Sequence, residues 1–195
     1  MAALWTAFWT AVALDRPEDV QLLLAKGVEV SVKNNDGWTA IHYAALWGTE
    51  AMVELLIDCG AEVTAKTNYG LTPLHYAANQ GHEAVAHFLL LNGAGVSSQD
   101  NKGRSPLHCA ALEGREEIVR LLLENGAELS ATDDDGRTPE HVATARWHFR
   151  VASTLRAEET RRALAFTMGQ HARLGAGSWV RALDAGVVQM VLELV

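Results

Sequence analysis

The chain has 195 residues, of which 49% are hydrophobic and 21% charged, and its formal net charge is -8. This length fits one domain of ordinary size, and the composition excludes a disordered chain. The acidic excess argues against nucleic-acid binding, which needs a basic surface, and two cysteines without CxxC spacing indicate neither a disulfide framework nor a zinc site.

The first predicted element is the apolar N-terminal stretch MAALWTAFWTAVAL. It lacks the basic start of a secretory signal, acidic residues follow it at once, and it is too short to span a bilayer. A repeat explains it better, because Thr6 falls in register with a motif that recurs every 33 residues further along the chain. We therefore predict that TAFWTAV is the first helix of a first repeat.

The motif itself begins at the same point of four successive units. It reads TAIHYAA from Thr39, TPLHYAA from Thr72, SPLHCAA from Ser105 and TPEHVAT from Thr138. Glycines recur in phase with it, two residues before each start, nine residues after it, and at the end of the unit. They are Gly37, Gly70, Gly103 and Gly136, then Gly48, Gly81 and Gly114, and finally Gly27, Gly60, Gly93 and Gly126.

Each unit is predicted to be a turn followed by two antiparallel helices. Glycine suits the turn, Thr or Ser caps the first helix, and Pro fits its first position. The second helix carries an apolar stripe at helical spacing, as at Val53, Leu56 and Ile57 or at Ile118, Leu121 and Leu122. One unit buries only one face, so the units are expected to stack.

The period and the string DGxTPLHxAAxxGxxxxVxxLLxxGA resemble ankyrin repeats over roughly residues 4–157. The resemblance implies an all-α solenoid of helix-turn-helix units with β-turn fingers, whose fingers and first helices form a concave protein-binding surface. We expect an ankyrin repeat domain of about five repeats at 1–157, with the first and last repeats degenerate, and a C-terminal helical tail at 158–195.

The two terminal repeats depart from the family pattern. The first has Trp9 in place of His and Asp15 in place of Gly. The fifth has Glu140 in place of a buried Leu, Trp147 in place of Gly, and no closing Gly-Ala. We interpret the fifth as a C-terminal cap, because a terminal repeat must present a more polar outer face.

Histidines and acids invite a metal or catalytic interpretation. His42, His75, His108 and His141 recur at the repeat period, however, which favours hydrogen bonds between neighbouring fingers over metal binding. Cys109 occupies the place of Tyr43 and Tyr76 and is predicted to fill the core. The acids Asp133, Asp134 and Asp135 could bind a cation, but a solvated finger tip is favoured. No catalytic residue, metal or cofactor is predicted.

A partner protein is expected to contact side chains that point into the groove, on the fingers and near the ends of the first helices. Large aromatic residues there, such as Trp38, Trp47 and Tyr69, are typical of interface anchors; the alternative is that they only shield a neighbouring helix. The predicted partner-binding residues are Asn35, Asp36, Trp38, Leu46, Trp47, Asn68, Tyr69, Leu71, Asn79, Gln80, Asn101, Lys102, Arg104, Leu112, Glu113, Asp134, Asp135, Arg137 and Arg146.

The two ends of the chain offer further hypotheses. The apolar first repeat either packs wholly on the second or supports self-association. Residues 144–195 hold 7 basic and 4 acidic residues, net +3, against 9 and 20, net -11, in residues 1–143. A basic helix ended by Gly175 and a second helix from about Asp184 are predicted there. RALDAGVVQMVLELV is weakly similar to the opening helix of an F-box, without its usual Pro.

The leading functional hypothesis is a protein–protein interaction module or scaffold that holds a protein partner in the groove. The alternative is a substrate-recognition adaptor of a ubiquitin ligase, in which the tail recruits the ligase. Binding of nucleic acid and membrane insertion are not expected. The two unpaired thiols and the absence of a signal segment favour an intracellular location, cytoplasmic or nuclear.

Overall fold

The computed structural model describes residues 2–173, which form ten helices and no strand. The first helices of the units are α1 (Ala2–Ala13), α3 (Ala40–Trp47), α5 (Pro73–Gln80), α7 (Pro106–Leu112) and α9 (Pro139–Ala145). The second helices are α2 (Pro17–Ala25), α4 (Glu50–Asp58), α6 (Glu83–Leu91), α8 (Glu116–Glu124) and α10 (Phe149–Arg173). The predicted all-α solenoid of helix pairs is confirmed.

The chain divides into two compact units, Met1–Leu155 and Arg156–Val195. The first unit contains the repeats. In it, the first helices of the first four repeats each pack on the first helix of the next repeat and on the second helix of their own repeat. The predicted boundary at residue 157 stays a prediction.

Local sequence explains where the helices of the middle repeats begin and end. Thr39, Thr72, Ser105 and Thr138 are the N-caps of α3, α5, α7 and α9, as predicted. Gly48 and Gly81 end α3 and α5 in the left-handed conformation, with φ of 75° and 86°. Only glycine adopts such φ values without strain, so it stops these helices where the chain must turn.

The core is one continuous cluster that runs through the stacked repeats. The predicted stripe residues Val53, Leu56, Ile118, Leu121 and Leu122 are buried, and Ile57 is half-buried. Burial of a Val, Leu or Ile side chain contributes about 1.5–3 kcal/mol, so most of the stability comes from this stacking.

Two helices are longer than the repeat register predicts. Helix α1 begins at Ala2, so Thr6 lies inside it and is not its N-cap, because Ala and Leu favour helix and neither Gly nor Pro interrupts them. Helix α10 continues to Arg173 because Glu159 stands where earlier repeats have a closing glycine. The predicted separate basic helix is thus the continuation of the fifth repeat's second helix.

Within the described part of the chain, no helix is both long and apolar enough to cross a membrane. The helix predicted near Asp184 and the F-box-like sequence lie outside the described residues.

Candidate protein-binding surface

The fingers are turns that their own side chains hold together. The Asn34 Oδ1 atom accepts hydrogen bonds from the N–H groups of Asp36 and Trp38, at 3.0 and 2.9 Å. Asp100 and Asp133 bind the backbone of their own fingers in the same way. Because a side-chain oxygen satisfies two backbone donors, each of these three fingers presents a fixed tip.

Neighbouring fingers are joined through asparagines in the predicted site. The Asn68 Nδ2 atom donates to the Asn35 carbonyl and the Asn101 Nδ2 atom to the Asn68 carbonyl, both at 2.9 Å. Backbone bonds run alongside, from Asn68 N–H to the Asp36 carbonyl and from Asn101 N–H to the Tyr69 carbonyl, both at 3.0 Å. Asn68 and Asn101 are therefore structural ties between fingers, a function that the sequence did not reveal.

His42, His75 and His108 also join neighbouring units, which confirms the predicted hydrogen-bonding function for these three. The fourth, His141, is exposed and bonds Thr138 of its own repeat instead. The His75 Nε2 atom lies 3.0 Å from the Arg104 carbonyl, and that of His108 lies 3.0 Å from the Arg137 carbonyl. Facing a carbonyl, Nε2 must carry the proton, so Nδ1 accepts from the backbone of the N-cap residue, as at His42 and Thr39. Burial lowers the pKa of His42 and of His75 to about 4, which keeps both imidazoles neutral at pH 7.

A second series of hydrogen bonds between repeats begins at the residue just before the second helix of the third, fourth and fifth repeats. His82 donates through Nε2 to the Leu46 carbonyl at 3.0 Å, and Arg115 donates through Nε to the Asn79 carbonyl at 3.0 Å. His148 repeats this contact with the Leu112 carbonyl at 3.1 Å. Sequence analysis missed this series, although the spacing of 33 residues between its three donors could have shown it.

Four aromatic rings form a continuous run across the first three repeats. Ring centroids are 5.3 Å apart between Trp9 and Tyr43, 4.7 Å between Trp38 and Tyr43, and 4.3 Å between Trp38 and Tyr76. Trp38 is half-buried. The alternative of a packing role therefore holds at Trp38, since its ring contacts the tyrosines of two neighbouring repeats.

Trp47 and Tyr69, by contrast, are each 63% exposed. Tyr69 lies at the tip of a finger and Trp47 at the end of α3. Asn35, Asp36, Gln80, Lys102 and Glu113 are also exposed, whereas Leu46, Leu71, Asn79 and Leu112 are half-buried. The aromatic run and these two exposed rings make the surface of the second and third repeats rich in aromatic groups.

The surface of the fourth and fifth repeats carries paired charges instead. Arg104 donates through Nε and Nη2 to Asp100, at 2.9 and 2.6 Å, and Arg137 binds Asp133 in the same way at 3.0 and 2.8 Å. These arginines and the backbone N–H donors lower the pKa of both carboxyl groups despite their burial. Asp133 is buried, so the predicted solvated tip is wrong at this residue, whereas Asp134 and Asp135 are exposed.

The structure brings four of the predicted binding residues around one hollow of about 180 Å³, between the fourth and fifth repeats. Arg104 and Arg137 reach it from the fingers, and Leu112 and Arg146 from the first helices. Cys109 also borders it, but this thiol is buried, and burial raises its pKa to about 12. It is therefore an unreactive core residue, as predicted.

Two exposed aromatic residues next to this region were not among the predicted site residues. Trp147 is 78% exposed and Phe149 is 60% exposed, and their rings pack edge to face at 5.9 Å. Trp147 stands where the preceding repeats have a helix-ending glycine. This departure from the repeat pattern could have indicated the exposed pair. In the described part of the chain, no cluster of three or more potential ligands suits a metal ion.

The first repeat carries an open apolar trough on its outer side. The trough has a volume of about 680 Å³, and its lining includes Ala11, Leu14 and Leu22. Leu14 and Leu22 are each more than half exposed. Arg16 and Asp19 lie at the trough and form an ion pair at 3.6 Å.

The helix pairs stack on one another, and hydrogen bonds join neighbouring fingers. This architecture defines a repeat protein of the solenoid class. A family model described as ankyrin repeats (3 copies) matches residues 8–100 and 86–162. These matches cover more than half of the chain, which therefore belongs to the ankyrin repeat family. Proteins of this family generally mediate protein–protein interaction.

Two curated relatives match a short segment. Over 45 residues the chain is 44% identical to protein phosphatase 1 regulatory subunit 12A of Mus musculus, and equally to that of Rattus norvegicus. The match covers 23% of this chain and 4% of each relative. This span is little longer than one repeat, so it indicates a shared repeat type.

Proposed function

We propose that this chain is a scaffold that holds a partner protein in the concave groove of its ankyrin repeats. The observation that carries the proposal is the aromatic surface of the second and third repeats. There, Trp47 and Tyr69 are each 63% exposed, in the same two repeats as a run of tilted, half-buried rings. Exposed aromatic side chains on a rigid support are typical of binding hot spots, because they bury much apolar area at little entropic cost.

The inter-repeat bonds support this function. The fingers are fixed to one another before any partner arrives, so little conformational entropy is lost when one binds. The polar and charged groups of the fourth and fifth repeats then supply specificity, since a partner must match the paired charges of Arg104 and Arg137.

The test is a Trp47→Ala, Tyr69→Ala double variant. A protein captured by the parent chain is identified, purified and titrated against the parent and the variant by calorimetry. We expect the variant to bind at least about tenfold more weakly, with an unchanged melting temperature, because both rings are exposed.

Two further variants make this test specific. Leu91→Ala removes an exposed apolar side chain from a second helix and is expected to leave affinity unchanged. Trp38→Ala is expected to lower the melting temperature as well as affinity, because its ring packs between Tyr43 and Tyr76. Equal affinity of the parent and the double variant would overturn the proposal.

The adaptor hypothesis concerns a finer function of the tail, and no contact of the described residues favours it over the scaffold. Deleting residues 158–195 tests it, because ligase components would be lost from captured material while the groove partner stays. An intracellular location and the absence of enzymatic activity stay predictions.

A further inference from the structure

The fifth repeat carries a strained and exposed tryptophan. Trp147 adopts φ of 64°, in the left-handed region that an L-residue with a large side chain rarely enters. Gly48, Gly81 and Gly114 hold this place in the preceding repeats, with φ between 68° and 86°. A glycine at this point would be free of strain, so the chain bears a conformational cost to present an indole here.

Packing does not account for this indole. Its ring contact is with Phe149, which is itself 60% exposed, and the Trp147 side chain stays 78% exposed. In earlier repeats a Cβ atom at this place would collide with the next unit, as at Gly114, where it would lie 2.5 Å from the His148 Nδ1 atom. Trp147, by contrast, is largely exposed, so there is room for a large residue that packing does not require.

Two arginines flank the aromatic pair. Arg146 is exposed and has no ion pair among the described residues, and Arg150 is 90% exposed with a single long contact of 3.8 Å to Glu116. The rest of the repeat region is strongly acidic, since residues 1–143 carry 9 basic and 20 acidic side chains, net -11. The patch of Arg146, Trp147, Phe149 and Arg150 is therefore a local site of positive charge and apolar surface on an acidic domain.

We propose that this aromatic–arginine patch is a second protein-binding site, which takes an acidic segment that also carries aliphatic or aromatic residues. Its carboxylates would pair with Arg146 and Arg150, and an apolar side chain between them would cover Trp147 and Phe149. Arginine beside exposed aromatic rings suits an acidic segment with apolar residues. The guanidinium binds a carboxylate with two parallel hydrogen bonds, and the rings cover the apolar side chains. A short acidic segment meets mainly Arg146 and Arg150, because salt screens charges that lie more than about 10 Å away. An anionic membrane is disfavoured as the occupant, because its broad surface would also face the acidic remainder of the domain, net -11 in residues 1–143.

The test uses a fluorescein-labelled peptide of Glu, Leu and Phe and a matched peptide in which each Glu is replaced by Gln. Binding to the full chain is measured by anisotropy at about 50 and about 200 mM salt. We expect the Glu peptide to bind, to weaken at the higher salt concentration, and to bind at least about tenfold more tightly than the Gln peptide.

Trp147→Gly separates binding from folding. Glycine accepts φ of 64°, so this variant is expected to melt no lower than the parent while losing at least about tenfold in affinity. Arg146→Gln with Arg150→Gln should weaken binding and reduce its salt dependence. Lys26→Gln, which removes an exposed charge from the first repeat, is the matched control. It should leave both the affinity and its salt dependence unchanged.

The groove site and this site are distinguished by the Trp47→Ala, Tyr69→Ala variant, which should bind the Glu peptide like the parent. Loss of peptide binding in that variant would overturn the assignment. The assignment would also be overturned if Trp147→Gly bound the Glu peptide as tightly as the parent does. Equal affinity of the parent for the Glu and Gln peptides would overturn it too. Binding to phosphatidylserine vesicles in place of the peptide, with dependence on Trp147, would assign the patch to membranes and overturn the proposal.

Discussion

At the scale of single residues, the buried histidines connect sequence motif, stability and pH. His42 and His75 are buried, and each is held neutral between an N-cap residue and a carbonyl of the next repeat. Their pKa values near 4 lie well below the ordinary value of 6.5. In the unfolded chain the same residues take up protons below pH 6.5, so acid favours unfolding.

We therefore predict that stability falls between pH 6.5 and 4. From about pH 7.5 to about pH 5.5, each of these two histidines should reduce the free energy of unfolding by about 1.3 kcal/mol. Urea unfolding at a series of pH values measures the change. The carboxyl groups with lowered pKa, Asp100 and Asp133, lose their contribution only at lower pH, below their ordinary value of 3.8. A urea midpoint that stays constant down to pH 5 would contradict the prediction.

The residue scale also shows why the candidate site was only partly predictable. The period of 33 correctly placed Trp47 and Tyr69 on exposed positions, because exposure follows from register. It could not show that Trp38 fits between Tyr43 and Tyr76, since that depends on how two neighbouring units approach each other. The bonds from His82, Arg115 and His148 were missed, although the spacing of 33 residues between these donors indicates a repeated contact.

At the scale of elements, the glycines that end the first helices have two functions. Gly48 adopts φ of 75°, and a Cβ atom there would lie 2.5 Å from the Nδ1 atom of His82, which ties the next repeat to the Leu46 carbonyl. Gly60, at the end of the second helix, has φ of 87° but no heavy atom within 4 Å of such a Cβ. The first glycine thus serves both the turn and the stacking, and the second serves the turn alone.

Alanine at the two positions should separate these functions. Gly60→Ala is expected to destabilise the protein by about 1 kcal/mol through backbone strain alone. Gly48→Ala should cost about 2–3 kcal/mol, because it also displaces His82 and breaks its hydrogen bond. Urea unfolding of both variants measures the difference. Equal destabilisation would show that the contact between Gly48 and His82 contributes nothing.

Helix positions were largely predictable from the sequence, because caps and terminators are local signals. Thr39, Thr72 and Ser105 mark helix starts, and the closing glycines mark helix ends. The exceptions are the elements at either end of the described range. Helix α1 begins early because Ala and Leu favour helix and neither Gly nor Pro interrupts them. Helix α10 continues through Glu159 because no glycine ends it there.

At the scale of the whole molecule, the open trough of the first repeat makes self-association a testable proposal. We propose that a second copy of the chain covers the trough. Leu14 and Leu22 are exposed there beside the ion pair of Arg16 and Asp19. In a dimer of two-fold symmetry the trough would meet the same trough of the second copy, so the exposed leucines of each chain would cover those of the other.

We expect the average mass measured by light scattering to rise with protein concentration. Leu14→Glu with Leu22→Glu should hold it at the monomer value, because an unpaired buried carboxylate is costly. Leu91→Glu, at an exposed position on α6, serves as the control and should associate like the parent. A monomer mass for the parent at every concentration would contradict the proposal.

The run of rings from Trp9 through Tyr43 and Trp38 to Tyr76 gives the protein a built-in optical reporter. Rings held this close in a fixed, asymmetric arrangement produce a strong near-ultraviolet circular dichroism signal, which vanishes once fixed tertiary packing is lost. The part of this signal that comes from the run originates in the first three repeats, whereas far-ultraviolet ellipticity reports the helices of all repeats. Comparing a Trp38→Phe variant with the parent during denaturation would isolate that part and follow the first three repeats separately.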